Sequence, residues 1–336
     1  MPARSKMKPK LLHLIDILTE YTDDEHPLSG DELCEKLAER GVDTNRKTVY
    51  RDIDALVDYG YDILKMRSPK QGFALGQRRL ELPEIRLLVD AVQAASFITP
   101  KKTRELIVKL ESFLSKSQTE ALSRQVYMDY RSKQLNEEIY YSIDVIANAI
   151  SQRKKIRLSY FRRSLTESLA TESNAREFIV SPYAMLWSND HYYLVCNNEK
   201  YDNLMHLRVD RMKSVRILKE PVRPIYEVSE YADSFDIADY SSKIFNMFGG
   251  AEEIIELRCK NGLIESVIDR FGQELPMRKS GEGHFVLRTP ALISDGLVSW
   301  ILQFGEDVEV ISPKDLRARL ASKAYKLYKL YGSDIG

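Results

Sequence analysis

Residues 45–51 read Asn-Arg-Lys-Thr-Val-Tyr-Arg, a run dense in hydrogen-bond donors. Arg and Lys read guanine O6 and N7, Asn reads adenine, and Thr or a backbone amide holds phosphate. At the start of a helix, Asn45, Arg46, Lys47 and Thr48 form a first turn suited to the major groove of DNA. With Val49, Ile53 and Leu56 facing a core, Lys47, Tyr50, Arg51 and Asp54 project from the other side. Arg67 and Lys70 add positive charge in a turn further on, and Arg4, Lys6, Lys8 and Lys10 make an acid-free leader. A capped surface helix with ordinary charges is the bland alternative.

A second group lies between residues 183 and 211. Met205, Leu207 and Val209 alternate with His206, Arg208 and Asp210, so a strand here would separate an apolar row from a polar one. Arg211 follows directly. His191 and Tyr193 share a face one strand earlier, with Tyr183 and Trp187 just before them. Arg, His and aromatic rings on one surface suit a phosphate and a stacked base. Competing with this, Tyr and Trp are common in barrel cores, and Arg208 could pair with Asp210.

Enzyme chemistry finds little support. There is no G-x-G-x-x-G, no G-x-x-x-x-G-K-[ST] and no H-E-x-x-H, and Gly249-Gly250 opens no helix after a strand. The histidines at 13, 26, 191, 206 and 284 have no metal-ligand spacing. Cys34, Cys196 and Cys259 are too scattered for a disulfide framework or a zinc set, so a reducing cytosol fits best. No enzyme, metal or cofactor is expected.

The elements that must position these groups are legible from spacing. Leu11, Leu14, Ile15 and Leu18 recur at helical intervals. Ser29 with Glu32 is a capping box opening a second helix with Leu33 and Leu37, and Gly41 ends it. Thr44 or Asn45 caps a third, striped by Val49, Ile53, Leu56 and Val57 and stopped by Gly60. Residues 61–66 and 73–75 form a hairpin around 67–72. Three helices plus a hairpin make a winged helix. Helices over 82–88 and 101–114 follow, with Pro83 and Pro100 near their first turns.

From about Ile139 the period shifts towards 2. Strands are predicted at 178–183, 191–196, 204–210 and 215–218, after alternation at Ile156, Leu158 and Tyr160, giving a small barrel or sandwich. Beyond them come strand 254–259, helix 263–271, strand 284–287, helix 297–304 and strand 308–311. Ser312-Pro313 opens a final helix as cap and first residue. If 274–278 is a short strand, the order is β-α-β-β-α-β plus a tail helix.

Length and charge bound the rest. The 336 residues suffice for two or three cores, and Lys+Arg and Asp+Glu are equal at 50 each. The balance hides asymmetry: residues 150–219 carry 13 basic and 7 acidic side chains, residues 220–336 carry 14 and 19. An anion would be drawn to the former. No apolar run approaches the length needed to span a bilayer, and the first residues show no apolar signal core.

Thr48-Val49-Tyr50-Arg51-Asp52-Ile53, with Leu56 and Gly60, resembles the recognition helix of bacterial winged-helix regulators of the deoxyribose-regulator type. Ser181-Pro182-Tyr183, Tyr192-Tyr193-Leu194-Val195 and His206-Leu207-Arg208-Val209-Asp210-Arg211-Met212 resemble the WYL domain, with Tyr192 where that family has Trp. The resemblance implies a cytoplasmic, usually dimeric transcription factor whose Sm-like barrel senses a nucleotide or single-stranded nucleic acid. The expected architecture is multi-domain α+β: a winged helix-turn-helix (1–80), a helical linker (81–138), a small Sm/SH3-like β-barrel (139–220) and a C-terminal ferredoxin-like α/β domain (221–336). The expected partners are a double-stranded DNA operator, a nucleotide or single-stranded ligand, and a second copy. DNA would be held by Asn45, Arg46, Lys47, Thr48, Tyr50, Arg51, Arg67 and Lys70. The ligand would be held by Tyr183, Trp187, His191, Tyr193, His206, Arg208 and Arg211. On that basis Arg208→Ala should abolish the ligand response and spare the fold. The alternative is a single-strand-binding effector in which the helix-turn-helix is only a docking module.

Overall fold

The computed structural model describes residues 7–123, 137–161, 175–232 and 235–332. The chain divides into two compact units, residues 1–135 and 136–336. It is a mixed α+β protein with three antiparallel sheets among the described residues.

In the first unit α1 (Met7–Tyr21), α2 (Gly30–Glu39) and α3 (Arg46–Tyr59) precede a two-stranded sheet, β1 (Ile63–Met66) and β2 (Gly72–Leu75). Leu14, Leu18, Leu33, Leu37, Val49, Ile53 and Leu56 bury their side chains in one cluster, with Phe73 and Leu75 closing it from the hairpin. The capping box forms as expected: Glu32 N–H donates to Ser29 Oγ at 3.3 Å, and Ser29 N–H to Glu32 Oε2 at 2.8 Å. Val57 departs from expectation, standing 45% exposed. The inner face of α3 is instead completed by Asp52, an acid among apolar neighbours. The hairpin begins at Ile63 rather than residue 61, because the Tyr61 amide donates back to Leu56 O while Gly60 takes the left-handed conformation (φ 114°). That closure belongs to the helix end and keeps Tyr61 out of the ladder.

Three further helices, α4 (Leu82–Ala94), α5 (Pro100–Glu111) and α6 (Lys116–Ser123), pack around Ile85, Val89, Ile107, Leu114 and Leu122. Arg78 ties them to α1. It is buried and donates to the carbonyls of Thr19 (3.0 Å), Phe113 (2.9 Å) and Thr22.

The second unit opens with α7 (Ile139–Ser151), where the periodicity at Ile139 suggested strands. The buried positions Ile139, Ser142, Ile146 and Ala149 fall at helical intervals, and the helix lies on β3 (Lys154–Phe161), β4 (Ala175–Ser188) and β7 (Met212–Pro221). Between them run β5 (His191–Asn197) and β6 (Met205–Arg208), in the sheet order β6-β5-β4-β3-β7. Asn189 and Asp190 both have positive φ (48° and 58°), the tight turn that matches strand twist in a two-residue hairpin. β6 ends at Arg208, not residue 210, because Val209–Arg211 coil into a 3-10 turn.

α8 (Ile237–Lys243) leads to a four-stranded sheet of β8 (Ala251–Lys260), β9 (Met277–Lys279), β10 (His284–Ile293) and β11 (Val308–Ser312), ordered β11-β8-β10-β9. α9 (Ile264–Phe271) and α10 (Asp295–Leu302) interleave with them in sequence and share a core with Ile255, Leu257, Cys259, Phe285 and Val310. The conditional short strand is present, displaced to Met277–Lys279. α11 (Lys314–Tyr331) closes the described chain. Ser312 is the last residue of β11 and Pro313 is the cap, so the expected serine cap is absent.

Candidate nucleic-acid interface and sensor face

On α3, Asn45 caps the helix: its Oδ1 accepts from Thr48 N–H at 3.0 Å and Thr48 Oγ1 at 3.1 Å. Asn45 and Thr48 therefore spend their side chains on each other before any base or phosphate arrives. Arg46 Nη2 donates to Tyr50 Oη at 3.1 Å and its Nη1 sits 3.3 Å from Asp31. Tyr50 packs edge-on to Phe73 (5.3 Å between centroids) and so close to Gly30 that an added Cβ would stand 2.6 Å from its ring. Tyr50 is thus a partly buried structural ring. Lys47, Arg51 and Arg67 stand exposed. Lys70 Nζ donates to Glu32 Oε1 at 2.5 Å, fastening the hairpin tip to the start of α2. That bond, with the Ser29 amide, draws the Glu32 carboxyl down to about 2.

One member of the basic leader is reassigned. Lys10 is buried against Asp52, Nζ to Oδ2 2.6 Å, with both residues 9% exposed. It neutralises the acid inside the helical core and is not presented to phosphate. Arg4, Lys6 and the Lys8 side chain lie outside the described residues.

In the second unit, register settles which side chains share a face. Tyr193 stands opposite Arg208 and Leu186, and His191 opposite Ser188. Arg208 binds Asp210 through two nitrogens, Nε to Oδ1 3.0 Å and Nη2 to Oδ2 2.7 Å, and donates through Nη2 to His191 Nδ1 at 3.1 Å. A guanidinium only donates, so Nδ1 is the accepting nitrogen and the proton of a neutral His191 lies on Nε2. Burial, then the charges of Arg208 and Arg211, push the His191 pKa down. Tyr160 Oη accepts from the Arg208 amide at 3.3 Å. His191, Tyr193, Arg208 and Arg211 therefore form one group, with Tyr160 and Asp210 as members that sequence reasoning left out or treated as a rival partner.

Three expected ligand residues go elsewhere. Tyr183 is the extra residue of a bulge in β4, and its hydroxyl donates to Arg223 O at 2.8 Å. Burial raises its pKa to about 12. Trp187 pairs with Tyr192, not Tyr193, so it lies on the opposite face, 47% exposed and edge-on to the Tyr192 ring. His206 shares the Arg208 side of the sheet but is covered: its Nε2 is 2.9 Å from Tyr240 Oη and the two rings stack. Nothing in strand alternation signals Tyr240, which comes from α8.

Burial pushes the His206 pKa from 6.5 to about 4. The unfolded chain binds this proton more readily, so the contribution of neutral His206 is complete above pH 6.5 and is lost as pH falls towards 4. Urea titrations at pH 7, 5 and 4 should show that decline, and His206→Phe should flatten it. An unchanged slope in the variant would assign the decline to other groups.

No group of His, Cys, Asp and Glu among the described residues could hold a metal ion, and no described helix is long and apolar enough to cross a membrane.

Residues 141–217, from α7 into β7, match the WYL domain, and residues 252–328, from β8 into α11, match the WCX domain. The comparison with curated proteins found no match. Among solved structures, Proteasome accessory factor B/C (PafBC) of Arthrobacter aurescens aligns at 14% identity with a TM-score of 0.28, covering 94% of this chain and 47% of that one. The chain spans about half the length of that structure, and a likeness at this TM-score carries no argument. The two domain matches agree in position with the five-stranded and four-stranded sheets, and the chain carries a WYL domain followed by a WCX domain.

Proposed function

We propose that this chain is a cytoplasmic, homodimeric transcriptional regulator, a binding protein rather than an enzyme. In this reading residues 1–80 are a winged helix-turn-helix and 81–138 a helical linker. Residues 139–220 are an Sm/SH3-like sensing barrel, and 221–336 a ferredoxin-like extension. The observation that carries it is the exposed basic side of α3, Lys47 and Arg51 opposite buried Val49, Ile53 and Leu56, in a chain that also holds a WYL domain. A helix buried on one side and cationic on the other can enter the major groove, and half-site pairing by a dimer supplies the specificity one such helix lacks. The sensed ligand is a nucleotide or short single strand, held at His191, Tyr193, Arg208 and Arg211. Asp210 already neutralises part of Arg208, which leaves Arg211 as the more available cation for phosphate.

Selection of genome fragments by the purified protein would yield an operator. On it, Lys47→Ala and Arg51→Ala should each weaken binding by about 1–3 kcal/mol where a base is read. Where only phosphate is held, the salt slope should become shallower by about one. Arg46→Ala should matter less, because Asp31 and Tyr50 already engage it. Unchanged binding in both Lys47→Ala and Arg51→Ala, with circular dichroism intact, refutes the interface. Binding to oligonucleotides without regard to duplex sequence would make the barrel the effector instead.

A further inference from the structure

Gly249 and Gly250, which fit no phosphate-binding motif, border a cleft of about 600 Å³ between β6, α8 and the start of β8. That volume falls in the range of small-molecule sites. Gly250 passes so close to Ile293 that a Cβ would stand 2.2 Å from its carbonyl oxygen, which pins the segment as a wall. Tyr231 lines the cleft as a partly exposed ring, His206 and the buried Tyr240 stacked on it form its floor, and Glu230 and Glu252 are its carboxylates. None of the described residues lining it is Lys or Arg.

Lys243, on α8, is held between Asp239 (2.7 Å) and Glu252 (2.9 Å), so two carboxylates share one ammonium. Glu230 is exposed and adds a further negative charge. The His206 ring is neutral at pH 7, since burial holds its pKa near 4. The local field therefore repels phosphate and attracts cations, and the partly exposed Tyr231 ring favours the same sign of charge.

We infer that this cleft binds a small organic cation with an aromatic body, an arylalkylamine in chemical class. It is separate from the Arg208 face, whose cations would take an anion, and it does not depend on the DNA-binding reading. The two meet in β6, where His206 lines the cleft two residues before Arg208, so an occupant would press on the strand that carries the anion group.

Calorimetry and ligand-observed NMR on the full chain test this with tryptamine, its anionic counterpart indole-3-acetate, and AMP. Tryptamine should bind at least about 10-fold more tightly than either anion. At Gly249 an added Cβ meets nothing nearer than 3.7 Å (His206 Cε1 and Leu204 O), and its φ lies outside the left-handed region. Gly249→Leu should therefore fill the cleft, leave thermal unfolding unchanged and abolish tryptamine binding. Glu230→Gln, on the rim, should weaken it about 3-fold without touching the fold. Should Gly249→Leu unfold, the Glu230→Gln result and the cation-to-anion ratio still decide. Absence of tryptamine binding, equal binding of indole-3-acetate, or full binding by folded Gly249→Leu overturns the inference.

Discussion

Asp52→Ala should destabilise the N-terminal unit by about 3–5 kcal/mol, because it strands the Lys10 ammonium in an apolar core. Lys10 and Asp52 are each 9% exposed, and they lie among Leu14, Val49, Ile53 and Leu56 in sequence and on the same two helices. Their 2.6 Å contact is off the hydrogen-bonding direction, so it is charge compensation more than a directed bond. A well-packed apolar pair can replace such an ion pair without loss, whereas removing one partner cannot. Lys10→Met with Asp52→Leu should therefore recover most of the stability that Asp52→Ala loses. Urea denaturation followed by helical circular dichroism separates the two. A loss below about 1 kcal/mol in Asp52→Ala would mean that water reaches Lys10 readily.

Arg208→Ala should be nearly as damaging, in the second unit. Asp210 is only 4% exposed on its side chain and takes two hydrogen bonds from that one guanidinium. Removing Arg208 leaves a buried carboxylate short of its principal countercharge, a loss of about 3–5 kcal/mol. The expectation that Arg208→Ala spares the fold thus gives way to the opposite. Arg208→Ala with Asp210→Ala should restore stability, and only in that pair can loss of ligand binding be read as loss of a ligand contact. If Arg208→Ala alone melts like wild type, the pair is a surface contact and Asp210 is served by its other neighbours.

Local pattern determined much of this protein. The capping box at Ser29 and Glu32, the apolar stripe of α3 and the order of strands and helices from β8 to α11 follow from spacing and turn chemistry. These depend on residues near one another in the chain. The errors fall where local rules admit two answers. The run after Ile139 is apolar enough to read as strands, and its helix is decided by the sheet it covers. Val57 and Asp52 compete for one edge of α3, and a lysine from α1 decides for the acid.

The site was less legible still. Strand parity put His191 with Tyr193 and His206 with Arg208, and the register of β5 against β6 joins the two pairs on one side of the sheet. Parity fixes direction within a sheet and says nothing of what lies over it. Only the tertiary structure brings Tyr240 onto His206 and turns Tyr183 through a bulge towards Arg223. Direction is a property of the backbone repeat. Exposure and charge balance belong to whichever distant segment packs against it, and sequence spacing carries no record of that neighbour.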